Sequence, residues 1–389
     1  MQAVVPFVLL ASVVVSALGS APAGGDSTSG VPSISIPLAT SIHSSAGTWV
    51  TLPMGDLSQP LNTFWQLFFQ PTGTTSWSNK VEATAVATNG GLVLASAANQ
   101  PFVVGVRPSN LLHFSPLIST DDGGHSWSSG LLQEGLAASP SALSTGLTGQ
   151  TVALVGDGPG ARVLTSTGGL SKWGTLTTAR QLASGSGGKA CGLESLTAVA
   201  SLASGAIVGA GCSRPGVVGV FAEQAGSWNL DPIVLPGSLR RGRVEVLMLE
   251  QTTDGLVAVL GISEKAGTAV VAAWTTGTGP WVVSPGLTLA SNDGLVSFGP
   301  ASGSGLFVLS STQSGSRRLA VVDGPGATWR QMLPPPSSTA TVAFSPTSST
   351  TEAFAVHDST MTVWALGSGS NAWVKGQVVQ VPIEFGSSG

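Results

Sequence analysis

The chain has no tyrosine, only two cysteines and four histidines among its 389 residues. Charged side chains make up 9% of it, against about 25% in ordinary soluble domains. Each scarcity closes off a class of chemistry. Cys191 and Cys212 alone cannot build a cysteine-based zinc or iron–sulfur site. His43, His113, His125 and His357 show no metal-ligand spacing, so no metal and no cofactor is expected. A formal net charge of −4 argues against a nucleic-acid partner. Beyond the N-terminal apolar run, no stretch carries a convincing 3.6-residue period, which argues against a helical architecture. The stretch GDGPGAR, 156–162, follows the strand-like TVALV but leads into another strand, so it is not a dinucleotide-binding turn.

What is present begins with a continuous apolar run, Val4 to Gly19. It is shorter than the ~20 residues a membrane helix needs, and Ala17 and Gly19 fit a small-residue cleavage pattern. Residues 1–20 are therefore read as a signal peptide, although no Lys or Arg precedes the run. Residues 21–45, rich in Gly, Ser, Thr and Pro, are read as a flexible linker, and 46–389 as the folded unit. This organisation implies a secreted or cell-envelope protein with no stable membrane span after cleavage.

The folded part repeats. Seven tryptophans follow Gly- or Ser-rich turns: Trp77, Trp127, Trp173, Trp228, Trp281, Trp329 and Trp373, spaced 44 to 55 residues apart. Between them the same order recurs. Leu196 to Pro236 reads as strand LTAVASL, turn ASG, strand AIVGAGC, loop SRPG, strand VVGVFAEQ, turn AG and strand SWNLDPIVLP. Four short strands repeated at this period are the signature of a β-propeller blade. The expectation is an all-β, single propeller of seven four-stranded blades, with six or eight as alternatives.

One turn is more specific. TDDGGHSW, 120–127, fits S/T-x-D-x-G-x-S/T-W through Thr120, Asp122, Gly124, Ser126 and Trp127. It resembles the Asp-box, or BNR repeat, of the sialidase-like propellers. The other turns are degenerate; STGGLSKW keeps Ser166 and Trp173 but has Gly168 where the aspartate would be. The resemblance implies a structural turn between the third and fourth strands, on the face away from an active site. A short carboxylate can accept bonds from its own turn, and glycine permits positive φ. A calcium site at this turn would need a second ligand cluster, which the sequence lacks.

The same resemblance raises the question of hydrolysis. Sialidases use three arginines, an aspartate acid/base and a Tyr/Glu pair. Tyrosine is absent here, and no arginine precedes Arg107, so the resemblance carries over the scaffold and not that active site. Catalytic residues are therefore not assigned.

Strand order places the second-to-third loops and the blade links on one face, and the charges collect there. The candidate binding residues are Arg240, Arg241 and Arg243 in SLRRGRVE, with Arg162, Arg214, Arg317 and Arg318. Guanidinium forks suit carboxylate or sulfate groups, so the partner expected is an extracellular glycan or protein surface of acidic character. The primary reading is a non-catalytic binding or scaffold module. The alternative is a divergent glycoside hydrolase of the sialidase-like superfamily with paired carboxylates, drawn from Asp157, Glu194, Glu245 and Asp358. Cys191 and Cys212 are expected to form a disulfide, because they flank two paired strands in an exported chain. Few titratable groups imply a stability that varies weakly with pH.

Overall fold

In the computed structural model, residues 40–381 are described apart from short segments, the longest being 56–62, 81–90, 107–115 and 132–139. Residues 1–20 and most of the expected linker lie outside the described residues, as do Arg107, His113, Lys265 and Asp358.

The strands form antiparallel meanders in chain order. Blade 1 spans 40–79, blade 2 spans 92–131, blade 3 spans 140–178 and blade 4 spans 193–230. Blade 5 spans 243–289, blade 6 spans 294–332 and blade 7 spans 342–380. Seven units were expected, and among the described residues seven are present: five four-stranded sheets, and two further units that share one sheet. Blades 4 and 5 are joined into one nine-stranded sheet by the pairing of Gly211 with Glu245 and Cys212 with Val244.

Among the described residues, seven apolar clusters hold the ring, one at each junction between neighbouring blades. Side chains alternate across a strand, so each blade feeds two of them. Val257 and Val259 pack toward blade 6, whereas Ala258 and Leu260 pack toward blade 4. Sheets covered on both faces need apolar residues at every position. That is why LVAVLG and TAVVAAW read as continuous runs rather than as alternating ones.

The seventh cluster joins blade 7 to blade 1, through Val50, Leu52, Phe68 and Trp77 against Ala343, Phe354 and Met361. Closure involves no strand exchange among the described residues, because every blade is built from consecutive strands. Side chains clamp the junction instead. Ser41 Oγ donates to the Phe344 carbonyl at 2.5 Å. At the outer edge, Gln377 accepts from the Trp77 N–H at 2.7 Å and donates to its carbonyl at 3.2 Å.

Two details depart from the sequence reading. The first strand, Thr40–His43, lies inside the 21–45 segment expected as a linker. Its TSIH is short and polar, and it holds its place by pairing with Thr48–Thr51. The link from blade 3 to blade 4 holds two short helices, α1 (Ala179–Ser184) and α2 (Ser186–Cys191). Each is too short to display a helical period. Thr178 caps α1 by accepting from the Gln181 N–H, a T-x-x-Q signal legible in the sequence.

Burial also shapes the pH response. Glu250, on the inner strand of blade 5, has its pKa pushed up to about 7 by desolvation. Burial raises Glu352 as well, and burial with the nearby Glu194 raises Glu245. A raised carboxyl pKa stabilises the fold at low pH, and that stability is lost as pH climbs from the unfolded value toward the folded one. Burial lowers the His43 pKa and so acts the other way below its ordinary value, but three raised carboxyls outweigh one imidazole. In place of the weak pH dependence expected from composition, the protein should melt slightly higher at pH 5 than at pH 7.5. Glu250→Gln should raise the pH 7.5 melting point and shrink the difference. Thermal melts at both values check this, and a higher melting point at pH 7.5 would contradict it.

Candidate functional site

Each repeated tryptophan sits at the start of a fourth strand, where the chain turns out of the third. Three of them latch onto the preceding blade through the indole N–H. Trp281 donates to Asp231 Oδ2 at 2.8 Å, Trp329 to the Pro285 carbonyl at 2.7 Å and Trp373 to the Leu333 carbonyl at 2.9 Å.

The turn of blade 2 is internally bonded. Asp122 Oδ1 accepts from the His125 and Ser126 N–H groups at 2.9 Å and from Thr120 Oγ1 at 2.8 Å. Asp122 Oδ2 accepts from Ser126 Oγ at 2.5 Å, and Thr120 Oγ1 accepts from the Gly124 N–H at 2.9 Å. These bonds, the Ser126 hydroxyl foremost, hold the Asp122 carboxyl well below the usual range. Gly124 adopts φ +78°, and a Cβ there would lie 3.1 Å from Trp49 and 3.2 Å from Trp127. The turn thus delivers Trp127 edge-on to Trp49, with ring centroids 5.8 Å apart. Its acceptors are used inside the turn, which leaves the carboxylate little for a ligand.

The opposite face carries the arginines. At the junction of blades 4 and 5, the loop holding Arg214 meets the link holding Arg240 and Arg241, because the Gly216 N–H donates to the Gly242 carbonyl at 2.8 Å. Gly216 has φ +74°, and a Cβ on it would sit 2.4 Å from the Arg240 carbonyl oxygen. The disulfide Cys191–Cys212, with Cα atoms 5.0 Å apart, ties the end of α2 to the same place. Arg214 N–H donates to the Cys191 carbonyl at 3.1 Å. Arg243 pairs with Glu194. Arg240 Nε donates to the Leu235 carbonyl at 2.9 Å. Arg214, Arg240 and Arg241 are exposed, and none of them forms a salt bridge among the described residues.

The remaining candidates sit on other blades. Arg162 opens the third strand of blade 3 and is half-buried. Arg317 and Arg318 open the third strand of blade 6; burial lowers the pKa of Arg317, and Arg318 Nη1 bonds Asp293 Oδ2 at 3.2 Å. Asp157, one of the candidate carboxylates, precedes the short turn Gly158–Gly160 in the second-to-third loop of blade 3. Glu194 and Glu245 interact electrostatically beside Arg243.

A cleft of about 310 Å³ opens between blades 5 and 6, lined by Leu287, Leu289, Asp293, Ser310, Arg318 and Gln331 among others. Sequence reasoning missed Asp293, which reads as an ordinary turn residue in SNDG. No group of three or more metal-ligating side chains exists among the described residues.

No protein-family model matches this chain, and no curated protein matches it in sequence. Solved structures do resemble it. A candidate 6-phosphogluconolactonase from Bacteroides uniformis aligns with TM-score 0.53 at 11% identity, over 87% of this chain and 97% of that one. YCF48 bound to D1 peptide aligns with TM-score 0.44 at 14% identity, over 85% and 91%. The six-bladed fucose-recognising lectin of Aleuria aurantia aligns with TM-score 0.42 at 14% identity, over 90% and 96%. At such identities the likeness concerns the fold alone. Among the described residues, no helix is long and apolar enough to cross a membrane.

Proposed function

We propose that the chain is a secreted or cell-envelope binding module of sialidase-like, BNR-repeat ancestry, and that its loop face engages an acidic glycan or acidic protein surface. One observation carries the reading. Arg214, Arg240 and Arg241 converge at one junction, exposed and without carboxylate partners among the described residues. Like charges gathered at one junction repel unless an anion joins them, and a guanidinium fork matches carboxylate or sulfate. The turn at Asp122 supports the ancestry, and the disulfide supports an oxidising compartment.

The test is binding to heparin and to polyglutamate, measured by calorimetry. Replacing Arg214, Arg240 and Arg241 together with alanine should weaken the interaction about tenfold or more and flatten its dependence on salt. Unchanged affinity for both polyanions would place the function elsewhere.

A second reading keeps one specific observation on its side. Glu245 has a raised pKa and lies beside Glu194, which Arg243 holds. A carboxyl of raised pKa next to a second carboxylate is the pairing a glycoside hydrolase uses. Hydrolysis of a nitrophenyl glycoside, lost in Glu245→Gln, would favour this enzyme reading over the binding one.

A further inference from the structure

The cleft between blades 5 and 6 lies beside an interrupted strand. The outer strand of blade 5 pairs with Gly267–Thr275 as Val282–Val283, breaks at Ser284–Pro285–Gly286, and resumes as Leu287–Leu289. Across from that second piece lies one face of blade 6. Ser310 is the register partner of Arg318, and Ala320 that of Gln331, so these side chains point toward blade 5. The space between them measures about 310 Å³ and opens to solvent. That is the small end of the ~300–1,000 Å³ range of ligand pockets.

The lining is divided. Leu287, Leu289 and Ala320 are buried and make an apolar floor. Asp293, Arg318, Ser310 and Gln331 supply polar groups around it. The Asp293 side chain is 7% exposed, whereas that of Arg318 is 59% exposed. Asp293 thus fixes one edge of the guanidinium and leaves the rest of its donors facing outward. This charge balance decides the ligand class. The arginine is already neutralised, so a bound carboxylate or sulfate would have to compete with a well-seated aspartate. A hydroxyl both donates and accepts. Two adjacent hydroxyls can therefore meet the couple together, one donating to Asp293 and one accepting from Arg318. The ring carbons of such a molecule would lie on the leucine floor.

We infer that this cleft is a binding site for a neutral polyhydroxylated ring, a single sugar residue in size. It is separate from the arginine junction, between a different pair of blades and with a preference for a neutral ligand over an anion, so either site can exist without the other.

The test is a titration of the full chain with methyl glucoside, methyl mannoside, methyl galactoside and methyl fucoside, followed by amide NMR shifts. Sodium glucuronate serves as the anionic probe. At least one neutral glycoside should shift the amides of Leu287–Leu289 and of Arg318–Ala320 with millimolar affinity. Arg318→Gln and Asp293→Asn should each weaken that binding about tenfold, as expected when a hydroxyl-pairing group is lost. Gln331→Trp, at an exposed position on the cleft face of blade 6, should block the cleft while the remaining amide spectrum stays unchanged. Alanine at Arg240 and Arg241 should leave the glycoside titration intact, which separates this site from the polyanion surface. Absence of shifts in these segments for every neutral glycoside would overturn the inference. So would tighter binding of glucuronate, or full binding by both Arg318→Gln and Gln331→Trp.

Discussion

Replacing Trp49 with alanine is expected to lower the stability of the protein by about 4 kcal/mol, and its melting temperature by about 6 °C for a chain of this size. The indole is fully buried at the junction of blades 1 and 2. It stacks on Phe102 with centroids 4.1 Å apart, touches Phe69 at 4.3 Å and receives Trp127 edge-on. Its N–H donates to Ser44 Oγ at 3.2 Å. Truncation removes the transfer energy of the ring and leaves a hole among rigid aromatic neighbours that cannot collapse into it. Chemical denaturation monitored by far-ultraviolet dichroism gives the number. A loss under about 1 kcal/mol would mean that the blade 1–2 junction repacks freely. Phe102→Leu, which keeps most of the volume, should cost distinctly less.

The second large effect is expected from the disulfide. Changing both Cys191 and Cys212 to alanine should destabilise the fold by about 3 kcal/mol, since the bridge closes a loop of 21 residues in the unfolded chain. Both cysteines are buried, within a cluster that includes Leu182, Phe221 and Val208. The bridge also holds the chain where Arg214 bonds the Cys191 carbonyl and where Glu194 reaches Arg243. Hydrogen exchange across residues 179–192 should therefore accelerate in the variant more than exchange in blade 6. Equal protection in both regions would show that the bridge acts on the whole ring and not on this link.

Much of this architecture could be read before any coordinates. The tryptophans mark the start of each fourth strand, because only a turn followed by a large wedge can seat one blade against the next. Glycine-rich turns and β-branched runs then divide the chain at a steady interval. The convergence at the arginine junction was less legible. Arg240, Arg241 and Arg243 are neighbours in sequence, but Arg214 joins them only through the bond between Gly216 and Gly242 and the pairing of Gly211 with Glu245. Arg317 and Arg318 look equivalent to those residues on paper. The structure separates them, since Arg318 is paired with Asp293 and faces a cleft. That cleft lies beside a break in an outer strand, and a Ser-Pro-Gly sequence announces a break without saying what opens beside it. The segment TSIH carried too little apolar character to stand out as a strand; its partner strand supplies what it lacks.

The closure of the ring has a consequence for how the chain can be cut. Each blade is assembled from one contiguous stretch, and the junction of blade 7 with blade 1 is held by packing and by the Gln377 and Ser41 bonds. The two ends of the described chain consequently meet at an ordinary blade junction, not inside a shared sheet. If residues 40 and 381 were linked and the chain reopened between two other blades, every sheet would remain whole. The order in which the blades follow one another along the polypeptide is thus a matter of where the chain starts. Most strand pairings are local as well, so blades can form from nearby residues before the circle shuts, which keeps the loop-closure entropy of a large all-β molecule low until the last step.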